Sequence, residues 1–133
     1  MGPNKVGNAW PWQFGDFLLA TLQGVSIGAT GDAAQAGIPF AQYRVTRFTV
    51  RSPSANVSAG FVGLFTGAGG TGTTVVANAQ LTSLTTVLGA QNMTIAASAL
   101  ILTASSLYFR VGTAVAGETV DIDIFGTVIP DRM

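Results

Sequence analysis

The stretch Glu118-Thr-Val-Asp-Ile-Asp-Ile-Phe-Gly-Thr-Val128 has the clearest periodicity in the chain, because apolar and polar residues alternate along it. Valine and isoleucine occupy the even positions, whereas Asp121, Asp123 and Thr127 occupy odd positions, with Phe125 as the one apolar exception among them. A period of two is typical of a β-strand with one buried and one mostly solvated face. Because a single strand cannot bury its apolar face alone, this segment predicts a sheet with a second layer packed over it.

The remainder of the chain contains candidate partners for this strand. Further strands are predicted at residues 16–22, 24–27, 42–51, 57–66, 74–76, 93–96, 100–103 and 106–111, with turn signals between them. Residues 28–37 are predicted as a turn-rich connection that includes the pair Gly31-Asp32. About eight short strands without a strong amphipathic helix indicate an all-β fold, a two-layer antiparallel β-sandwich with jelly-roll-like or Greek-key connections.

Two of these strands carry patterns beyond simple alternation. In the predicted strand at residues 42–51, apolar residues occupy odd positions up to Val45 and even positions from Phe48 onward. Such a parity change predicts a β-bulge near residues 46–47, or a strand buried on both faces. Residues 57–66 are apolar on both faces, which predicts a strand in the centre of a sheet or one covered by a neighbouring subunit.

The chain of 133 residues is most simply one domain, with an extended N-terminal arm at residues 1–14 and a β-sandwich at residues 15–133. Glycine and proline oppose regular structure in the arm, yet it carries Trp10, Trp12 and Phe14. Large apolar side chains this close together favour burial, so we expect Trp10, Trp12, Phe14 and Phe17 to be interface residues. The arm could cap its own domain, insert into a neighbouring subunit or host surface, or present its tryptophans to a sugar.

The charge distribution limits the classes of partner. Only 9% of the residues are charged and the formal net charge is zero, whereas soluble domains usually have about 25% charged residues. No basic patch is available to neutralise phosphates, so no nucleic-acid partner is expected. Residues 52–109 contain no charged side chain at all, which indicates either a neutral surface rich in serine and threonine or a surface covered by other subunits.

The absence of cysteine and histidine narrows the possible chemistry further. It removes thiol nucleophiles, imidazole acid–base catalysis and Cys/His metal sites together. No apolar run is long enough for a transmembrane helix and no secretory signal is recognisable at the N-terminus. We therefore expect no cofactor, no membrane partner and synthesis in the cytoplasm of the producing cell.

A glycine-rich run, Gly67-Ala-Gly-Gly-Thr-Gly72, matches the letters of a dinucleotide-binding fingerprint. That fingerprint requires a helix directly after the glycines and an acidic residue about 20 positions downstream. Here a β-branched segment follows, and the next acidic residue is Glu118. The run is therefore predicted to be a strand connection.

Paired carboxylates are the strongest remaining candidates for a chemical site. Asp121 and Asp123 share one face of the predicted strand and could form a solvated face, pair with Arg110 across the sheet, bind calcium, or act as an acid–base pair. A second cluster, Arg44, Arg47 and Arg51, could face these aspartates or an acidic partner surface. No apolar pocket is recognisable beside either aspartate, so no metal site or catalytic residue is predicted, and the chain is expected not to be an enzyme.

Two blocks of sequence resemble a known class of virion protein. The first runs from Tyr43-Arg-Val-Thr-Arg-Phe-Thr-Val-Arg51 to Gly60-Phe-Val-Gly-Leu-Phe-Thr-Gly-Ala-Gly69, and the second from Ser106-Leu-Tyr-Phe-Arg-Val111 to Val120-Asp-Ile-Asp-Ile-Phe-Gly126. Across residues 40–129 this rhythm of strands and glycines resembles small β-sandwich proteins of tailed bacteriophages that decorate or cement the capsid. The resemblance implies a jelly-roll-like subunit, commonly trimeric, seated where capsomers meet and without catalytic residues.

The expected function is therefore that of a structural virion protein, a decoration subunit on the capsid surface with the major capsid protein as its partner. A head-fibre or tail component is a related expectation. An alternative from another class is a carbohydrate-binding module, since β-sandwiches also host sugar sites.

Overall fold

The computed structural model describes residues 17–97 and 100–129, and these residues form two antiparallel sheets of four strands each. One sheet has the order β1-β8-β3-β6 and the other the order β2-β7-β4-β5. The strands are β1 (Phe17–Ser26), β2 (Gly31–Gly37), β3 (Tyr43–Arg51), β4 (Phe61–Phe65), β5 (Thr74–Gln80), β6 (Ala90–Met93), β7 (Ser106–Thr113) and β8 (Thr119–Val128).

The strands pair in a nested pattern, the first with the last. β1 pairs with β8, β2 with β7, β3 with β6 and β4 with β5, all antiparallel. This is one long antiparallel hairpin rolled over on itself, and the pairings of β3 with β8 and of β4 with β7 complete the two sheets. The predicted two-layer β-sandwich is confirmed, and its connections are those of a jelly roll.

The core lies between the two sheets, and β8 contributes to it as its periodicity predicts. Val120, Ile122 and Ile124 have no exposed surface, while the residues between them are only half-buried. The aromatic centre of the core is formed by Phe48 and Phe109, whose ring centroids are 6.0 Å apart. Burial of these side chains from both layers is the main source of stability.

A β-bulge in β3 accounts for the parity change in the sequence. The register between β3 and β8 shifts between Val45 and Arg47. As a result, Val45 and Phe48 are both fully buried although three positions separate them. The prediction of a bulge near residues 46–47 is confirmed, because the extra residue turns both halves of the strand toward the same core.

Other element predictions are confirmed in part or corrected. β4 lies between β5 and β7, as predicted for a central strand, but it is shorter than residues 57–66. The two predicted strands at 16–22 and 24–27 form the single strand β1, with a register shift around Gly24, whose φ is +65°. Residues 93–96 and 100–103 are not strands: β6 ends at Met93, and the second segment contributes only an isolated bridge from Leu102 to Tyr43.

The prediction of a turn-rich connection at residues 28–37 is wrong over most of its length. Residues 31–37 form β2, an edge strand paired with β7. Its alanines and glycines have low β-propensity, but Ala36 is buried against the core and the strand is held by pairing with β7. Tertiary pairing therefore overrides the local preference for a turn.

The two ends of the sandwich are distinguished by the segments that lie at each of them. The arm end is where β1 begins at Phe17 and where Ile129 donates its backbone N–H to Gln42. The loop end is the opposite end, where Ser52 donates to the carbonyl of Gly89. Strand β3 links the two ends and spans about 26 Å at 3.3 Å per residue.

Candidate functional site

The paired carboxylates on β8 form an ion-pair network on the outer face of the first sheet. Arg51 Nε donates to Asp123 at 2.6 Å, and Arg51 Nη1 lies 3.3 Å from Asp121. The Thr21 hydroxyl donates to Asp123 at 2.6 Å and the Gly24 backbone N–H donates to Asp121 at 2.8 Å. Three strands thus contribute to the network, and internal pairing of this arginine with the aspartates is confirmed.

The network explains the protonation states of its members. The Arg51 guanidinium, through its hydrogen bond to Asp123, holds the pKa of that carboxyl below its usual range, and the Thr21 hydroxyl adds to this effect. The same hydrogen bond raises the pKa of Arg51. A carboxylate held ionised in this way is a poor proton donor, so the arrangement is suited to joining strands.

Pairing of Arg110 with these aspartates is contradicted by the structure. Arg110 lies on β7 in the other sheet, where its Nη1 donates to Asp32 at 3.1 Å. Asp32 also accepts the backbone N–H of Gly69 at 2.8 Å, and this bond is the first cause of a lowered pKa for Asp32. The sequence prediction failed because it placed β7 beside β8, whereas the jelly roll puts them in different layers.

The glycine-rich run connects β4 to β5, as predicted. It folds into a short 3₁₀ turn at Ala68–Gly70, and a strand follows it. Gly69, Gly70 and Gly72 all have positive φ angles, which glycine adopts without steric cost. Asp32 and Arg110 hold this loop against the outer face of the second sheet.

Within residues 17–97 and 100–129, no group of three or more acidic, cysteine or histidine side chains is placed to hold a metal ion. Calcium binding at Asp121 and Asp123 would have to displace Arg51 from both carboxylates. A membrane-spanning helix is likewise not found in the described part of the chain.

Three of the predicted interface residues, Trp10, Trp12 and Phe14, lie outside the described residues. The fourth, Phe17, is the first residue of β1 and is half-buried, opposite Gly126 of β8. The arm therefore joins the sandwich at the edge of the first sheet, at the arm end.

Next to this junction lies a row of three side chains whose proximity was not predicted from the sequence. Leu18, Phe125 and Arg47 are register partners on β1, β8 and β3, and they form a row across the outer face of the sheet. The Arg47 guanidinium carbon lies 4.1 Å from the centre of the Phe125 ring, and Leu18 is 52% exposed. We call these three residues the outer row. Its signal in the sequence was Phe125, the one apolar residue on the polar parity of β8.

Apolar side chains are also exposed in the loops at both ends. Val87 and Leu88 lie in the loop between β5 and β6 at the loop end, and Leu88 is 91% exposed. Leu100 and Ile101 are exposed at the arm end, next to the bridge formed by Leu102. All four belong to the stretch without charged residues. Adjacent apolar side chains that are exposed together mark each of these two loops as a candidate interaction surface.

A shallow depression of about 330 Å³ lies on the exposed side of β2 and is lined by Asp32, Ala33, Ala34, Gln35 and Tyr108. It combines one aromatic side chain with a carboxylate and an amide. Gln35 donates to the hydroxyl of Ser106 at 2.9 Å, and Asp32 is bound to Arg110. These groups could orient a small polar molecule.

Comparison with known proteins yields no match, whether to family models, to curated proteins or to solved structures.

Proposed function

We propose that this protein is a structural virion protein, a decoration subunit that binds the surface of an assembled bacteriophage capsid and stabilises it. The observation that carries the proposal is the placement of Val87, Leu88, Leu100 and Ile101. These exposed apolar side chains lie in loops at both ends of a sandwich whose middle sequence has no charge. Loops held by a rigid sandwich are suited to contacting two neighbouring proteins at once.

The electrostatics of the described residues support the same function. Arg51 and Arg110 are neutralised within the subunit by acidic residues of their own sheets. The charges of these two arginines are therefore not left to repel a neighbouring subunit or to attract nucleic acid. The jelly roll is also used by viral capsid domains, although lectins and other proteins share it, so the fold by itself does not assign the function.

In this proposal the subunit acts by binding and not by catalysis. A protein that binds the assembled shell but not its separated parts stabilises the shell by mass action. The partner is the major capsid protein, and a homotrimer would match the threefold positions where capsomers meet.

The test is binding to purified heads of a phage that encodes the chain, measured by co-sedimentation. Burying a leucine contributes about 1.5–3 kcal/mol, so Leu88→Asn should weaken binding by about tenfold or more. Thr85→Asn is the matched control, since Thr85 is an exposed polar residue of the same loop. Wild-type protein that does not bind heads, or heads bound equally by both variants, would contradict the proposal. The mass of the free protein by native mass spectrometry tests the trimer separately.

A carbohydrate-binding function is the second candidate, and the depression beside Tyr108 favours it. Aromatic rings pack against the apolar faces of sugars, while Asp32 and Gln35 could accept and donate hydrogen bonds to hydroxyl groups. This candidate predicts that a panel of glycans contains a ligand whose binding is lost in Tyr108→Ala. If no glycan binds the wild-type protein, this second candidate is wrong.

A further inference from the structure

The outer row is an exposed surface whose chemistry fits an aromatic segment. Arg47 lies over the Phe125 ring, with its guanidinium carbon 4.1 Å from the ring centre, and is itself an exposed residue. Arginine stacks well on aromatic rings, and tryptophan is the strongest partner for such a cation–π contact. Leu18, on the other side of Phe125, extends the row with apolar surface.

We propose that the chain's own N-terminal arm, with the two residues that join it to β1 (residues 1–16 in all), docks on the outer row, with Trp12 or Trp10 stacked on Arg47 and Phe14 against Leu18. The arm contains the only tryptophans in the chain. The inference does not depend on capsid binding, because it follows from the described surface and from the composition of the segment that leaves beside it.

The distances allow this docking. The row spans two strand spacings, about 10 Å, and begins at Leu18, one residue from the point where the arm joins β1. Trp12 precedes Leu18 by six residues, which extend to about 20 Å at most. Trp12 can therefore reach Arg47.

The chain's own arm is favoured over the arm of a second copy because it is tethered to the site. Joining two binding groups through a short stretch of chain gives an effective concentration in the millimolar range. A second copy at micromolar concentration would have to bind much more tightly to compete. The charges do not oppose docking, because the arm carries one lysine and one aspartate, Lys5 and Asp16.

The two tryptophans allow a direct test, because residues 17–133 contribute no tryptophan fluorescence. In the wild-type protein of 133 residues we expect blue-shifted emission and protection from acrylamide quenching that do not change on dilution. Leu18→Asn and Arg47→Gln should both increase quenching, and Arg47→Gln should lower the ratio of docked to free arm about fivefold, the weight of one cation–π contact. Leu88→Asn is the control, since it alters an exposed leucine at the opposite end.

Three outcomes would overturn the inference. Tryptophans that are fully quenchable in the wild-type protein would mean that the arm does not dock. Protection that disappears on dilution would assign the arm to a second copy. Protection that survives both Leu18→Asn and Arg47→Gln would place the arm elsewhere. Circular dichroism verifies that each variant is folded, which we expect because both side chains are exposed. Leu88→Asn tests head binding, whereas Leu18→Asn and Arg47→Gln test docking of the arm. Failure of the proposed function can therefore be distinguished from failure of this inference.

Discussion

Replacement of Asp123 by asparagine should destabilise the protein at neutral pH and should do so less as the solution is made acidic. The substitution preserves shape but removes the charge that Arg51 binds. Arg51 donates to Asp123 through Nε at 2.6 Å and through Nη2 at 3.3 Å, and Thr21 donates at 2.6 Å. These contacts join β1, β8 and β3. An asparagine keeps one acceptor oxygen, but its NH₂ group cannot accept from Arg51, so the substitution weakens the first sheet.

The magnitude follows from how far the pair is removed from water. Hydrogen bonds to charged groups contribute about 1.5–3 kcal/mol, whereas fully exposed ion pairs contribute about 0.2–1 kcal/mol. The side chain of Asp123 is 14% exposed and that of Arg51 is 33% exposed. After allowance for solvent screening of Arg51, we expect a loss of about 1.5–2 kcal/mol in the free energy of unfolding.

The pH dependence has a defined sign. The pKa of Asp123 is lowered in the folded protein from the ordinary value of 3.8. The stabilisation is therefore fully present above pH 3.8 and is lost as the pH falls through the lower folded-state pKa. Below that value both states carry a protonated group, and the difference between wild type and Asp123→Asn should approach zero.

The assay is urea unfolding followed by circular dichroism, at pH 7 and at the lowest pH where the wild type remains folded. Asp121→Asn is the matched control, because Asp121 contacts Arg51 only at 3.3 Å and an asparagine can still accept from Gly24. We expect the control to lose less than half as much stability. A loss in Asp123→Asn that is equal at both pH values, or smaller than that of the control, would refute the reasoning.

Two other predictions concern buried residues of the sandwich. Gly126→Ala should cost about 3 kcal/mol, because a Cβ atom there would collide with the carbonyl oxygen of Arg44 on the paired strand. Gly37→Ala is the control, because a Cβ atom at Gly37 would have no neighbouring atom within 4 Å. Equal thermal unfolding temperatures for the two variants would contradict the prediction. Burial raises the pKa of Tyr43 to about 12, so the wild type should lose stability from about pH 10 to 12 as the unfolded state ionises. Tyr43→Phe should not show this loss of stability at alkaline pH. A pH dependence of unfolding identical to that of the wild type would contradict the prediction.

The strand periodicity of the sequence was sufficient to predict much of the fold. The alternation around Ile122 and the parity change before Phe48 both report which side chains face the core, because a strand turns successive residues to opposite faces. These patterns are local, so they predicted β8, the bulge in β3 and a two-layer sandwich. The glycine-rich run was also interpreted correctly, since the strand signal after it is local too.

Predictions that needed the order of strands were less successful. Nothing in the residues near Arg110 indicates that β7 belongs to the second sheet, so its pairing with Asp32 instead of Asp121 was not foreseen. β2 was missed for a related reason. Its small residues are poor strand formers, and only pairing with β7 makes that segment a strand.

The candidate surfaces likewise combine features that the sequence determined with features that only the tertiary structure decided. The sequence alone determined that the chain has a charge-free middle, an aromatic arm and strands that alternate in polarity, because these are properties of composition and short-range order. Only the tertiary structure brought Leu18, Phe125 and Arg47 into one row, since they lie on three strands that are far apart along the chain. It also decided which apolar side chains stay exposed, such as Leu88, because exposure depends on what the rest of the chain leaves uncovered.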